Sequence, residues 1–448
     1  MRAGDRIELL ASDLDLEGLG VGRAGSVEVH AEGLLPGERG EVDVAHVSRH
    51  AARAWGRSAR VNAPSPDRVE PACPAFSRCG GCAWQHLVYP AQLEHKRRRV
   101  ERALAALPSP PVAPVVASPR QLGYRNKATY VVAAPLALGA YAPRSHEWVD
   151  TARCRVVMPA IDSAAAAARA ALEESRLEVH DERRRTGHLR YVVVRASRAG
   201  HVLVGLVTTS AAPRPALERV AQALLREPAV RGVVWVPNDA TSGAILGPRP
   251  ELLAGEPALT ETVAGVAVDV AIDTFLQIHL DQAEALYSRL ADRAGAGPEM
   301  RAIDLYCGVG AIAFALARRG ARVLGLERNP SAAQAAGRAA DRAGLDRASF
   351  ETAPAAELPR LLRDPVDLIV VNPPRQGLDS TVRAQLAAHP PPILAYVSCG
   401  PESLGRDLAE LTAAGLRIDS VEPFDLMPGT GHVETLVIAR TDPARDRS

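Results

Sequence analysis

Two groups of residues in this chain have the types and spacing for chemistry. The run Ala395-Tyr396-Val397-Ser398-Cys399-Gly400-Pro401 is apolar up to a thiol and then breaks at Gly-Pro. A strand that stops on Cys399 and turns at once holds its sulfur at the rim of a sheet, within a ligand's reach. That is a nucleophile's position, against the plainer reading of a small buried hydrophobe. The second group is Cys73, Cys79 and Cys82, separated by five and then two residues in a polar, glycine-rich stretch. Three such thiolates select zinc or an iron–sulfur cluster, and either needs a fourth ligand. Cys154 is the other cysteine of that half, and its distance favours [4Fe-4S] with zinc as the alternative. Clustering of this kind points to metal or catalysis, not to a secreted disulfide framework.

The elements that must position Cys399 follow a strand–turn–helix rhythm. Met300 to Leu305 is an apolar strand, Tyr306-Cys307-Gly308-Val309-Gly310 a glycine turn, and a helix follows. Gly308 in such a turn lets the backbone approach a ligand at the helix start. The turn has two glycines only, which favours a cofactor without phosphates. The next strand ends on Glu327, where an adenosine ribose diol would be held, and a fourth ends on Asn372-Pro373-Pro374-Arg375. Open α/β sheets bind ligands at the carboxyl ends of parallel strands, so Tyr306, Glu327, Asn372 and Cys399 are expected to converge. His432 and Glu434 fall at a loop-to-strand junction. Asp273 to His279 leads into a helix from about Leu280. Cys307 reads as a packed small residue.

The 448 residues exceed one core, and 47% hydrophobic with 23% charged residues describes an ordinary globular chain. A net charge of +1 means that a nucleic-acid partner must meet a local basic surface. No run is long enough to span a bilayer and no apolar segment follows Met1-Arg2-Ala3-Gly4-Asp5, so a cytoplasmic monomer without a membrane partner is expected.

Residues 5–61 alternate short strands, including Leu34-Leu35-Pro36-Gly37-Glu38, with glycine turns, which suggests a small closed barrel. Arg49, Arg53, Arg57 and Arg60 follow as a basic stretch. From Trp84 to Leu107 the pattern is helical, with Lys96-Arg97-Arg98-Arg99 read as a solvated face. Arg125 and Lys127, beside Tyr124, are candidates for contacting a phosphate or a splayed base. An alanine-rich helix over 160–175, a hairpin from Leu189 to Thr208, a helix near Pro213 to Leu225 and a strand from Gly232 to Val236 give an α+β middle region.

The Gly-Val-Gly-Arg turn at 20–23 and the Leu-Pro-Gly-Glu segment at 35–38 resemble a TRAM domain, an OB-like RNA-binding module. The whole chain resembles the S-adenosylmethionine-dependent RNA 5-methyluridine methyltransferases, in the ribosomal RNA branch with a TRAM domain and an iron–sulfur cluster. The residues that carry this are the four cysteines, Asp304-Leu305-Tyr306-Cys307-Gly308, Ser398-Cys399 and His432-Val433-Glu434-Thr435. The resemblance implies a multidomain α/β protein: a TRAM-like barrel over 1–62, a central α+β iron–sulfur and RNA-binding domain over 63–265, and a Rossmann-like methyltransferase domain over 266–448. It further implies Cys399 as nucleophile and Glu434 as base. Gln277, Tyr306, Glu327 and Asn372 would line the S-adenosylmethionine site, and Cys73, Cys79, Cys82 and Cys154 would hold [4Fe-4S]. Four positions depart from the family's usual residues: Asn372 replaces Asp, and Ala311, His279 and Gly400 each replace Asn.

Two other readings follow from the same residues. Asn372-Pro373-Pro374 is similar to the motif of amino-methyltransferases, but Arg375 follows where an aromatic is expected, and that chemistry has no use for Cys399. The four departures would also suit an RNA-binding assembly factor with a decayed site. The most direct expectation is methylation of uridine carbon 5 in 23S ribosomal RNA, with transfer RNA as the alternative substrate.

Overall fold

The computed structural model describes residues 1–241, 244–247 and 249–441. Five strands come first: β1 (Arg6–Leu14), β2 (Gly20–Ala24), β3 (Val27–Glu32), β4 (Arg39–Val47) and β5 (Arg53–Ala63). They close into a barrel in the order β1-β2-β3-β5-β4 around Leu9, Val29, Ala31, Leu34, Val42 and Ala54. Three details differ from the sequence reading. Gly20–Ala24 is a strand and not a turn. Leu34 to Glu38 is a turn, because Pro36 has no N–H for a ladder, and fully buried Glu38 accepts from the Leu35 N–H at 2.7 Å and from Arg68. Arg53, Arg57 and Arg60 belong to β5, whose alternation turns Arg53 and Arg57 outward beside buried Ala54.

Helix α1 (Tyr89–Leu104) starts with Pro90 in its first turn, where a missing N–H costs nothing. Its basic run is not a solvated face. Lys96 is fully buried, and its Nζ donates to Asp425 at 2.5 Å and to the Met427 carbonyl at 3.1 Å. Arg97 pairs with Glu94 and Glu101, and Arg99 with Glu402 and the Gly431 carbonyl. A charge leaves water only when paired, so this helix is tied to the C-terminal loop by an ion pair.

The middle region comprises β6 (Lys127–Ala133), β7 (Ala137–Tyr141), β8 (Trp148–Asp150), α2 (Pro159–Ser175), β9 (Leu189–Ala196), β10 (Val202–Thr208), α3 (Arg214–Leu224), β11 (Val230–Pro237) and β12 (Glu251–Gly255). Its sheet runs β12-β11-β10-β9-β6-β7-β8. The expected β9–β10 hairpin is antiparallel. Helices α2 and α3 cover one face, and Leu259 of the hairpin β13 (Ala258–Val263) and β14 (Val266–Ala271) covers the other with Ile272. This is the α+β layering in which alternate valines of each strand meet opposite cores.

The last region holds α4 (Leu280–Ala294), β15 (Arg301–Leu305), α5 (Ala311–Ala317), β16 (Arg322–Glu327), α6 (Pro330–Arg342), β17 (Ala348–Thr352), α7 (Leu358–Leu361), β18 (Leu368–Val371), α8 (Ser380–Ala388), β19 (Ile393–Ser398), α9 (Pro401–Ala413), β20 (Leu416–Phe424) and β21 (Glu434–Thr441). Residues 442–448 of the domain expected over 266–448 lie outside the described residues. The sheet order is β17-β16-β15-β18-β19-β21-β20. β15 is parallel to both β16 and β18, so the strand order reverses about β15 and opens a crevice at its carboxyl end. β21 runs antiparallel between β19 and β20. Helices α4 to α6 bury one face; α8, α9 and, through Val100 and Leu104, α1 bury the other. Among the described residues no helix is long and apolar enough to cross a membrane.

Candidate active site and cysteine cavity

The glycine turn after β15 is held in an unusual backbone. Tyr306 has φ of +62°, a left-handed conformation that costs a non-glycine residue energy and that recurs at functional sites. Gly308 and Gly310, at +56° and +88°, complete the turn without that cost. The Gly308 N–H donates to Glu327 at 3.1 Å, and the Asn329 N–H donates to the other Glu327 oxygen at 2.8 Å. Each carboxylate oxygen keeps a second lone pair for a ligand. Gln277, Tyr306, Gly308 and Asn372 line one crevice with Phe275, Leu276 and Tyr287. Ala311 lines it too. The crevice is walled by apolar side chains, the amides of Gln277 and Asn372 and the Gly308 backbone, with no cationic side chain among its lining residues, while Glu327 stands behind it on the Gly308 N–H.

Cys399 lies just past β19. The β19–β21 ladder ends on the pair Ser398–Thr435, so the register sets Cys399 opposite Glu434. Glu434 is 6% exposed and its Oε2 has no hydrogen-bond partner among the described residues. Burial pushes its carboxyl up to about 7, with Arg375 pulling the other way. Burial likewise pushes the Cys399 thiol up to about 11, and the nearby Glu434 charge adds to this. The resting cysteine is therefore a thiol. His432 is kept neutral, its imidazole lowered to about 4 by burial and then by Arg375. Cys307 is 7% exposed and its thiol is raised by burial.

Arg375 entered the sequence reading only as the residue standing where amino-methyltransferases have an aromatic, yet its charge acts on Cys399, Glu434 and His432 together. The signal was its position directly after the Asn-Pro-Pro end of a strand. Asp304 was also missed as a site residue: fully buried, it accepts from the Ala313 N–H at 3.1 Å, and burial raises it to about 8. Tyr287 had no sequence signal, being one apolar-face position among several on α4. His279 is fully buried, stacked on Tyr124 at 4.7 Å and 2.7 Å from Ser118 Oγ.

The four cysteines expected to act together line a single cavity of about 720 Å³, and none forms a disulfide. Cys154 thus joins Cys73, Cys79 and Cys82 in space across a long sequence gap. Burial raises the Cys82 thiol to about 11, with Cys154 the next contributor. Among the described residues no three His, Cys, Asp or Glu side chains are already arranged around one metal ion. The donor chemistry nevertheless fits a thiolate-ligated group: four thiols share the cavity with Arg125, whose buried Nε has no partner. Arg125 and Lys127, both half-buried, line this cavity. Lys127 Nζ donates to the Ile272 carbonyl at 3.2 Å, and burial lowers it to about 8.

The fold and the crevice define an S-adenosylmethionine-dependent methyltransferase, and a methyltransferase domain family matches residues 296–397. The chain is 35% identical over 447 residues to an uncharacterized RNA methyltransferase of Thermosynechococcus vestitus, covering 98% of both chains. It is 31% identical to one of Listeria innocua, again over 98% of each. Among solved structures it is similar to the tRNA (uracil-54, C5)-methyltransferase of Pyrococcus abyssi in complex with S-adenosyl-L-homocysteine. That match has a TM-score of 0.76 and 26% identity, and it covers 97% of this chain and all of the other. The chain belongs to the S-adenosylmethionine-dependent RNA methyltransferase family.

Proposed function

We propose that this RNA methyltransferase transfers a methyl group to carbon 5 of a uridine through a covalent bond between Cys399 and carbon 6. The observation that carries the reading is the register that sets Cys399 opposite a buried carboxylate, Glu434. Uracil carbon 5 is a poor nucleophile until a sulfur adds at carbon 6 and turns it into an enolate carbon. At pH 7 a thiol at about 11 is ionised in about one molecule in ten thousand, so Cys399 must give its proton to solvent water as its sulfur adds, with Arg375 favouring the anion. S-adenosylmethionine supplies an electrophilic methyl group; Gln277, Tyr306, Gly308, Glu327 and Asn372 would hold it. Glu434 then takes the proton left on carbon 5, the 5,6 double bond re-forms and Cys399 leaves. A carboxyl at about 7 is ionised often enough near neutral pH to accept that proton. The deciding experiment is trapping with 5-fluorouridine RNA: the wild-type protein forms a stable complex and Cys399→Ser does not. A Cys399→Ser protein that still traps RNA would refute the role.

The proposed substrate is 23S ribosomal RNA, met by a TRAM-like barrel over 1–62 and a central domain over 63–265, in a cytoplasmic monomer. Transfer RNA is a second reading, favoured by the likeness to the archaeal enzyme named for uracil 54 of tRNA. Mapping 5-methyluridine in both RNAs of a deletion strain separates them.

Cys73, Cys79, Cys82 and Cys154 are proposed to hold [4Fe-4S], supported by their common cavity and the cationic Arg125 beside it. Such a cluster would cross-link two distant chain segments. Arg125 is proposed to reach RNA across that cavity, with Lys127, expected from the sequence to do the same, held behind it on the Ile272 carbonyl. Iron and sulfide analysis after anaerobic purification tests the cluster, and zinc in place of iron would overturn it.

A further inference from the structure

Residues 125–127 belong to a wall shared by the two sites. Arg125, Lys127 and Ile278 face the cysteine cavity, whereas Phe275, Leu276 and Gln277, directly before Ile278, face the cofactor crevice. The segment 272–278 between them has no regular secondary structure. Buried carbonyls outside a ladder need donors from elsewhere, and here side chains of the central sheet supply them. Asn126 is 1% exposed; its Nδ2 donates to the Gln277 carbonyl and its N–H to the Ile278 carbonyl, both at 3.0 Å. Lys127 Nζ takes the Ile272 carbonyl. Arg195, the cross-strand neighbour of Lys127, donates Nη2 to the Thr274 carbonyl at 2.6 Å. On the other side, the Arg125 N–H donates to the Val156 carbonyl at 2.9 Å and its carbonyl accepts from the Met158 N–H at 3.0 Å, just beyond Cys154. A continuous path of hydrogen bonds thus runs from the segment carrying Cys154 to the backbone carrying Gln277.

We propose that Asn126, Lys127 and Arg195 are positioning residues that clamp 272–278 and couple the cysteine cavity to cofactor affinity. The proposal rests on the reading that Gln277 lines the S-adenosylmethionine site and that the four cysteines act as a unit. The cavity and the crevice share no lining residue, so the coupling passes through the backbone that joins their walls. The chain's two lysines are both inward-facing supports, Lys96 to the C-terminal loop and Lys127 to this segment.

The test is calorimetric binding of S-adenosyl-L-homocysteine to the full chain without RNA, with thermal midpoints recorded alongside. Asn126→Ala is expected to weaken binding about tenfold, and Lys127→Met to weaken it in the same direction. Cys154→Ser is expected to weaken binding about fivefold in the wild-type background and by about twofold or less in the Asn126→Ala background. If Asn126→Ala fails to fold, the same cycle is run with Lys127→Met. Asn126→Ala binding at wild-type strength, or an equal Cys154→Ser effect in both backgrounds, would overturn the clamp. Gln277→Ala separates this from the site assignment. If Gln277→Ala also binds as wild type, the crevice reading itself is wrong; if it loses binding while Asn126→Ala does not, the clamp alone is wrong.

Discussion

Cys399 stands opposite Glu434, one step beyond the last pair of the β19–β21 ladder, and the Glu434 charge acts on its thiol at the sheet rim. In the proposed reaction the two act at opposite ends. Cys399→Ala should abolish both turnover and the covalent complex with RNA. Glu434→Gln should lower turnover by about a hundredfold or more while methylated RNA accumulates on Cys399, which denaturing gels with labelled RNA would display. A Glu434→Gln protein that turns over normally would remove Glu434 from the chemistry.

The buried Glu434 also makes stability depend on pH. Its carboxyl lies at about 7 in the folded protein and near 4.5 unfolded, so the folded state binds the proton more tightly. This stability is fully present below about pH 4.5 and is lost as pH rises through about 7, a change of ~3 kcal/mol. Asp304 contributes with the same sign, so the difference between wild type and Glu434→Gln isolates Glu434. The midpoint of Glu434→Gln is expected to gain on wild type between pH 5 and pH 8; parallel curves would contradict the buried, elevated carboxyl.

Glu327 accepts from the N–H groups of Gly308 and Asn329 and thereby fixes the turn, and in the proposed site it also holds the cofactor. Glu327→Ala should raise the KM for S-adenosylmethionine about tenfold or more with a smaller effect on kcat. A fall in kcat alone would show that the carboxylate serves the chemistry.

Lys96 and Asp425 form a fully buried pair joining α1 to the loop before Glu434. Lys96→Met leaves an unpaired buried carboxylate and should cost about 3 to 5 kcal/mol in urea unfolding. The double change Lys96→Met with Asp425→Leu should recover most of that loss, since neither charge then remains buried. Equal unfolding of the single and double variants would count against the pair.

The strands ending at Leu305, Glu327, Val371 and Ser398 were legible because each is a short apolar run closed by a polar residue or a turn, whereas β17 and β20, with polar residues along their length, gave no such signal. The barrel was legible from its evenly spaced strands, but Arg53 to Arg60 was read as a basic patch since strand alternation is hard to see in a polar run. The run at Lys96 to Arg99 misled for a related reason: composition records charge but not the acids that arrive from Glu402 and Asp425, some 300 residues away.

By itself the sequence determined the local chemistry: a thiol ending a strand, a glycine turn, a carboxylate ending the next strand, and three close cysteines. Only the tertiary structure decided which of these meet. β21 enters antiparallel beside β19, and that pairing brings Glu434 to Cys399 and buries it. It also brought Arg375 to both and Cys154 to the other thiols. Burial and neighbouring charge set how a carboxylate or thiol behaves, and both are properties of contacts between segments distant along the chain.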